Sequence, residues 1–288
     1  MACINSSAYK FGVLSEADLP ALKQKILDRA AELSTELFGT ILLTTEGVNI
    51  RLSGPAHAVQ AMQSFLSNDV HANLTPIVYK DSYTDTPTLR KFLVRIKREV
   101  ISMGMDNVDP AVDGLADHIA PEEFKEWMDQ DKDMLILDTR NDYEIRLGTF
   151  DKAVDLNIKS FRSFPQEAKT QLKDVAKDKP IVMFCTGGVR CEKAAYALQQ
   201  DGYTNVYQLD GGILNYFDKC RGAHYRGDCY IYDDRVAITP DLKPAEHIRM
   251  CYVCRNPLTA EEQASPEFVE NVSCPYCFGG KRCDFRSM

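Results

Sequence analysis

The sequence predicts a multidomain chain with an α+β unit first, an α/β unit in the middle and a small cysteine-rich tail. Three observations predict it. Residues 9–101 change between strand and helix periodicity in the order β-α-β-β-α-β. Residues 134–213 alternate short, wholly apolar runs with helical stretches, the pattern of a parallel sheet covered on both faces. Residues 224–288 are polar and hold two Cys-x-x-Cys pairs. The boundaries that follow are 1–103, a linker at 104–115, 116–223 and 224–288.

In the first unit, Tyr9–Leu14 is strand-like. Asp18–Leu33 carries Leu19, Leu22, Ile26, Ala30 and Leu33 at helical spacing. Gly39–Thr44 and Gly47–Leu52 read as strands about Thr45-Glu46, and Val59, Met62, Phe65 and Leu66 mark a second helix. Leu74–Asp81 and Leu89–Ile101 read as the closing strands. The order is that of the ferredoxin-like (acylphosphatase-like) fold, which hosts many functions and decides none. In the last strand, alternation puts Lys91, Leu93, Arg95 and Lys97 on one face and Phe92, Val94 and Ile96 on the other, flanked by Arg90 and Arg98. Three cations on one face read as solvated edge protection or as a platform for phosphates. Charge alone favours the first.

The linker has Gly104, Asn107, Pro110 and Gly114 and no periodicity, and its Asp106, Asp109 and Asp113 read as solvated carboxylates. The central unit opens with a helix at Pro121–Met128, whose Trp127 is expected in the core. Met134–Leu137 is an apolar strand leading to Asp138-Thr139-Arg140. Phe164–Val175 is helical, Ile181–Phe184 a buried strand, Glu192–Gln200 a helix, and Val206–Leu209 a strand before Gly211-Gly212-Ile213. Sites in parallel sheets lie at the carboxyl ends of strands, where Asp138 and Cys185 both stand.

Cys185-Thr186-Gly187-Gly188-Val189-Arg190 is therefore a strand-to-helix loop with a nucleophile at its turn. A thiolate beside the unpaired N–H groups of a helix N-terminus is stabilised, so its pKa should fall below the usual ~8.5. Gly187 and Gly188 leave room for backbone to curl around the sulfur, and Arg190 adds permanent positive charge. The loop is shorter than that of cysteine phosphatases and suits a single sulfur or a small electrophile. An inert buried cysteine, the plainer alternative, would not require Gly-Gly and Arg beside it. Cys191 reads first as a packing residue and second as a resolving thiol. The loop resembles that of the rhodaneses, which carry a persulfide on this cysteine. Leu137-Asp138-Thr139-Arg140, Tyr143-Glu144 and Leu209-Asp210-Gly211-Gly212-Ile213 extend that resemblance through the unit. It implies that Asp138 and Arg140 support the loop; a purely structural ion pair is the other reading.

The formal net charge of −8 argues against nonspecific nucleic-acid binding by the whole surface but leaves room for a local basic groove. The N-terminus does not read as a signal peptide, and no apolar run approaches the ~20 residues of a membrane helix. A cytoplasmic protein is expected, in which ten cysteines point to catalysis or metal rather than disulfides. Cys251, Cys254, Cys274 and Cys277 fit a zinc ribbon, with Cys283 close behind. A metal-free tail with an odd disulfide is the alternative.

Thr45-Glu46-Gly47-Val48-Asn49, Val94-Arg95-Ile96-Lys97, the run Cys185–Ala194 and Asp233-Asp234-Arg235-Val236-Ala237 together resemble one family, the rhodanese-containing tRNA uridine hydroxylases. The resemblance implies formation of 5-hydroxyuridine at the tRNA wobble position, with oxygen as co-substrate and the anticodon region of tRNA as partner. The residues alone support only a reactive thiol in a small cradle. No flavin or NAD motif is present, and His57, His71, His118, His224 and His247 are scattered. The alternatives are a thiosulfate-type sulfurtransferase acting through a persulfide, and a noncatalytic tRNA-binding or partner-docking module. In the hydroxylase reading, Lys91, Arg95 and Lys97 grip the tRNA while the wobble base is extruded toward Cys185.

Overall fold

The computed structural model describes residues 3–105, 108, 110–113 and 116–280. In the first unit, β1 (Cys3–Phe11), β2 (Phe38–Thr44), β3 (Gly47–Pro55), β4 (Lys80–Thr84) and β5 (Phe92–Ile96) form one sheet in the order β4-β1-β3-β2-β5. The first four strands have the ferredoxin-like order, and β5 is added parallel to β2 at the edge. Helices α1 (Leu19–Leu33) and α2 (Ala56–Asn68) cover one face. Their Leu22, Ile26, Val59 and Met62 share a core with Ile41, Leu43, Val48 and Ile50 of the strands. Full burial of each such side chain contributes about 1.5–3 kcal/mol.

Three strand boundaries differ from expectation. β1 begins at Cys3 rather than Tyr9. Polar Asn5, Ser6 and Ser7 mask its period, yet Asn5 is buried and bonds Thr84 (2.8 Å) and Ser53 (2.6 Å). The strand expected from Leu74 starts at Lys80, because Ala72–Leu74 closes a 3-10 turn and Pro76 has no N–H for a ladder. The last strand covers only Phe92–Ile96; Val94 is buried, but Ile96 is 42% exposed, so the core face ends before it.

After a short helix, α3 (Pro110–Asp113), come β6 (Asp117–Ile119), α4 (Pro121–Asp129), β7 (Leu135–Asp138), α5 (Asp142–Ile145), β8 (Gly148–Phe150) and β9 (Val154–Asp155). Then follow α6 (Phe164–Gln171), β10 (Ile181–Phe184), α7 (Val189–Gln200), β11 (Val206–Leu209) and α8 (Gly212–Cys220). The parallel sheet runs β6-β11-β10-β7-β9. β10 is central and wholly buried, which is why its sequence is continuously apolar. Phe164, Ala194 and Leu198 pack on one face of this sheet, and Phe124, Tyr216 and Phe217 on the other. Trp127 is half-buried at the margin of the second core, edge-on to Tyr207. Asp106, Asp109 and the Asp113 side chain lie outside the described residues.

The tail is stitched to both units. β12 (Tyr225–Gly227) pairs with β8, and β13 (Cys229–Tyr230) with β14 (Ala237–Ile238). Arg51 donates to the Tyr232 carbonyl (2.7 Å), Arg90 pairs with Asp234 (2.6 Å), and Asp233 holds Arg235 (2.6 Å). β15 (Arg249–Met250), β16 (Pro257–Leu258) and α9 (Ala260–Gln263) complete it. Among the described residues, no helix is long and apolar enough to cross a membrane.

Candidate active site

The loop between β10 and α7 is shaped by its backbone. α7 starts at Val189, so Arg190 and Cys191 lie in its first turn. Gly188 has φ +101°, and a Cβ there would stand 2.9 Å from the Tyr9 hydroxyl. Gly187, expected to be equally constrained, is not: a Cβ there would meet nothing within 4 Å. Gly212 approaches from the next loop so closely that its Cβ would lie 2.4 Å from the Cys185 carbonyl. Ile213 and Leu214 N–H groups then donate to the carbonyls of Cys185 (3.0 Å) and Thr186 (3.1 Å).

Cys185 is 1% exposed, and its sulfur accepts a bond from the Gly188 N–H at 3.1 Å. Burial alone would raise its pKa. The Cys191 thiol donating to it, the Arg190 charge, and the N–H groups of Arg190 and Gly188 overcome that and hold the thiol well below its usual range. Cys191 goes the other way, raised by burial and by its bond to Cys185.

Arg190 is fixed from behind by Glu144, at 2.5 and 2.9 Å through both guanidinium nitrogens. Glu144 is fully buried; burial would raise its pKa, but the Arg190 charge and hydrogen bonds hold it below the usual range. It also closes a capping box with Asn141 and accepts the Tyr232 hydroxyl at 3.0 Å. Sequence reasoning did not assign Glu144 to the site. The capping pattern Asn141-x-x-Glu144 was the available signal, but it explains a helix start rather than a buried arginine clamp.

Asp138 and Arg140 form a buried two-point ion pair at 2.9 and 2.6 Å, and Arg140 also donates to the Gly148 carbonyl at 2.7 Å. Together they join the end of β7 to β8. Thr139 between them reaches the thiols: it donates to the Phe184 carbonyl (3.0 Å) and lies 3.8 Å from the Cys191 sulfur.

The open face of the N-terminal sheet lies against this loop. Between them is a cavity of about 520 Å³, within the range typical of small-molecule sites. Tyr9, Arg51, Lys80, Cys185, Val189 and Arg235 are among its walls. Lys80 donates to the carbonyls of Gly187 (2.6 Å) and Gly211 (3.0 Å), and its burial lowers its pKa. Tyr9 donates to Glu192 at 3.0 Å. Lys193, only 1% exposed, is held by Glu46 and Glu99 at 2.9 Å each. These bonds join the two domains and account for the Glu46 and Lys193 positions in the motifs.

The cations that strand alternation selected stand elsewhere. Lys91, Arg95 and Lys97 are exposed on and beside edge strand β5, outside the cavity lining. Register aligns Arg95 with Leu42, Asn49 and Tyr9 across the sheet, so it shares the face of the cavity at the sheet's far edge.

In the tail, the sulfurs of Cys251, Cys254, Cys274 and Cys277 all lie within 4.8 Å of one another, with separations of 3.5, 3.6 and 3.9 Å among them. A tetrahedral zinc with Zn–S of ~2.3 Å separates its sulfurs by about 3.8 Å, so this donor set fits a closed four-thiolate metal site. The spacing is far too long for disulfides, whose S–S is about 2.05 Å. Cys283 lies outside the described residues.

Residues 120–219 match the rhodanese-like domain family and residues 3–100 the UPF0176 acylphosphatase like domain. The chain is 42% identical over 286 residues to a protein of Cupriavidus taiwanensis named tRNA uridine(34) hydroxylase, covering 98% of each. A Burkholderia lata protein of the same name is 39% identical over 284 residues, covering 96% of this chain and 98% of the relative. Among solved structures, a rhodanese-like domain from Anabaena sp. aligns with 39% of this chain and 80% of its own, at 17% identity and a TM-score of 0.33.

Proposed function

The chain belongs to the tRNA uridine(34) hydroxylases, and from that premise we propose that it makes 5-hydroxyuridine at the tRNA wobble position with dioxygen as co-substrate and Cys185 as nucleophile. The observation that carries this reading is the stabilised Cys185 thiolate at the wall of a nucleotide-sized cavity between two domains. A uracil extruded from the anticodon stack would enter there. The thiolate adds to C6: the S–C6 bond forms, and the C5=C6 electron pair shifts toward the C4 carbonyl oxygen. C5 becomes electron-rich and able to meet dioxygen. Lys80 keeps a third N–H beyond those given to Gly187 and Gly211, and it is the group to bond the carbonyl oxygen as charge develops. The Glu144–Arg190 clamp fixes the charge behind the sulfur.

Lys91, Arg95 and Lys97 would grip phosphates of the tRNA outside the cavity. Cys251, Cys254, Cys274 and Cys277 would hold one zinc, which supplies structure to the tail and takes no part in the reaction. The enzyme would act in the cytoplasm, where its tRNA is.

Nucleoside mass spectrometry of tRNA from cells with and without the gene tests the reading. The wobble uridine should carry one additional oxygen only when the gene is present. Exchange of oxygen for sulfur would instead make the protein a sulfurtransferase. Purified Cys185→Ser protein should fall to background, and a variant as active as the parent would end the assignment. Alkylation of Cys185 should stay fast at pH values below the ordinary thiol pKa of ~8.5, because the anion persists there.

A further inference from the structure

Among the described residues, four cations line the cavity: Arg51, Lys80, Arg190 and Arg235. Two of them are neutralised, Arg190 by Glu144 at 2.5 Å and Arg235 by Asp233 at 2.6 Å. Arg51 and Lys80 have no carboxylate partner among the described residues. The remaining carboxylates of the lining, Asp81 and Asp218, are exposed and engage Gln63 and Lys219. Strand register sets Arg51 of β3 and Lys80 of β4 in one row, with Ser7 of β1 between them. Residues of one row share a sheet face, and here all three line the cavity. The tail fixes Arg51: its Nη1 donates to the Tyr232 carbonyl at 2.7 Å, and its guanidinium lies over the Tyr232 ring, 5.1 Å from the centroid. Its Nε and Nη2, and the Ser7 hydroxyl, have no partner among the described residues. Burial lowers the Arg51 pKa, and its surroundings offset this only in part. A half-buried guanidinium held at a cavity wall without a counter-ion is a site for an incoming anion.

We propose that Arg51 and Ser7 form a phosphate subsite inside the cavity, which binds the phosphodiester adjoining the extruded uridine. This inference rests on the hydroxylase reading above. Roles divide along the row. Lys80 meets the uracil carbonyl. Arg51 stands two strands away, about 9.6 Å at the backbone, so one nucleotide can reach from one to the other. The arginine fork offers Nε and Nη2 to two oxygens of one phosphate, a two-point geometry that lysine does not reproduce. Ser7 donates from beside it. The subsite does what a surface grip cannot. Cations on β5 hold the tRNA whether or not the base is stacked. A phosphate reaches the cavity only when its nucleotide has left the stack, so the energy of binding it favours the extruded state. With its phosphate held at one end of the row, the uracil is kept at the other, beside Cys185.

Full-length protein is mixed with an anticodon stem-loop RNA carrying the wobble uridine, without air, so that no oxygen enters the base. The RNA should slow alkylation of Cys185 by iodoacetamide, read on the Cys185 peptide by mass spectrometry. Two further RNAs carry an uncharged methylphosphonate in place of the phosphate on the 5′ or the 3′ side of that uridine. One of them should need at least tenfold more RNA for the same protection, and its position identifies the phosphate bound. Arg51→Gln should need the same excess of the unmodified RNA and should no longer distinguish it from the modified one. Arg51→Lys should regain part of the difference. A merely structural role for Arg51 would leave the sensitivity to one phosphate in place. Equal protection by all three RNAs in the parent, or a methylphosphonate loss that persists in Arg51→Gln, would overturn the proposal and leave the hydroxylase reading standing. An unmodified RNA that leaves Cys185 alkylation unchanged would overturn the placement of the uracil beside Cys185, and the subsite with it.

Discussion

Among the described residues, the sulfur of Cys185 and the sulfur cluster of the tail are stabilised in opposite ways. At Cys185 the positive charge is part of the chain: the Gly188 N–H donates to the sulfur at 3.1 Å, and the charge of Arg190, clamped by Glu144, helps hold the thiol below its usual range. That sulfur borders a cavity. In the tail, the four sulfurs face chiefly one another, helped by the Cys274 N–H to Cys277 at 3.2 Å and the Asn256 amide to Cys254 at 3.7 Å. Four thiolates so close repel unless a cation sits among them. A cysteine's role here is decided by whether its counter-charge is built in or must be bound.

Removing the bound charge should have the largest effect. Structural zinc stabilises small four-ligand modules by an apparent ~10–16 kcal/mol near pH 7. A strong chelator should therefore unfold the tail, read as loss of one zinc per chain by elemental analysis and as protease cleavage between Cys251 and Cys277. The pH profile of Cys185 alkylation should not move. Arg146, two positions after Glu144 in the chain, pairs with Glu262 of the tail and donates to the Pro257 carbonyl at 2.8 Å. If chelation shifts the Cys185 profile, the two centres are coupled through that residue.

Removing the carboxylate that holds the built-in counter-charge should cost less. Glu144→Gln leaves Arg190 buried without its carboxylate, and breaking a buried pair from one side costs about 3–5 kcal/mol. The melting temperature should fall by several degrees. The guanidinium charge survives this change, so Cys185 should still be alkylated rapidly below its ordinary pKa range. A variant that melts like the parent would mean that Glu144 does not hold Arg190 in solution.

What the sequence revealed and what it hid divide along the same line. The Cys185–Arg190 loop was legible because its parts are adjacent: a buried strand, a glycine that must take positive φ, and an arginine in the following turn. The two Cys-x-x-Cys knuckles were legible for the same reason. Glu144 was not, because it meets Arg190 across 46 positions. Lys193 would be read as a surface residue, and only Glu46 and Glu99, from another domain, make its burial tolerable. Arg51 and Lys80 are single cations in otherwise ordinary strands, and docking of the two domains gives their face its meaning. Alternation rewards repeated charge, so it selected the exposed run on β5 and passed over the isolated cations that line the cavity.

The smallest effect should come from that exposed run, and it separates gripping the tRNA from reacting with it. Lys91, Arg95 and Lys97 touch neither sulfur centre, so replacing all three with alanine should leave zinc content and Cys185 alkylation unchanged. Each cation that no longer neutralises a phosphate lowers the salt slope of binding by roughly 0.7–0.9. Removal of all three should flatten it by about 2 to 3. Affinity should fall most at low salt, and the two proteins should converge as salt rises, because the missing term is counterion release. The rate at saturating tRNA should stay that of the parent, since the groups proposed to meet the base are Lys80 and Cys185. An unchanged slope would assign the grip to other residues, and the cavity cation Lys80 would then have to bind phosphate as well as face the base.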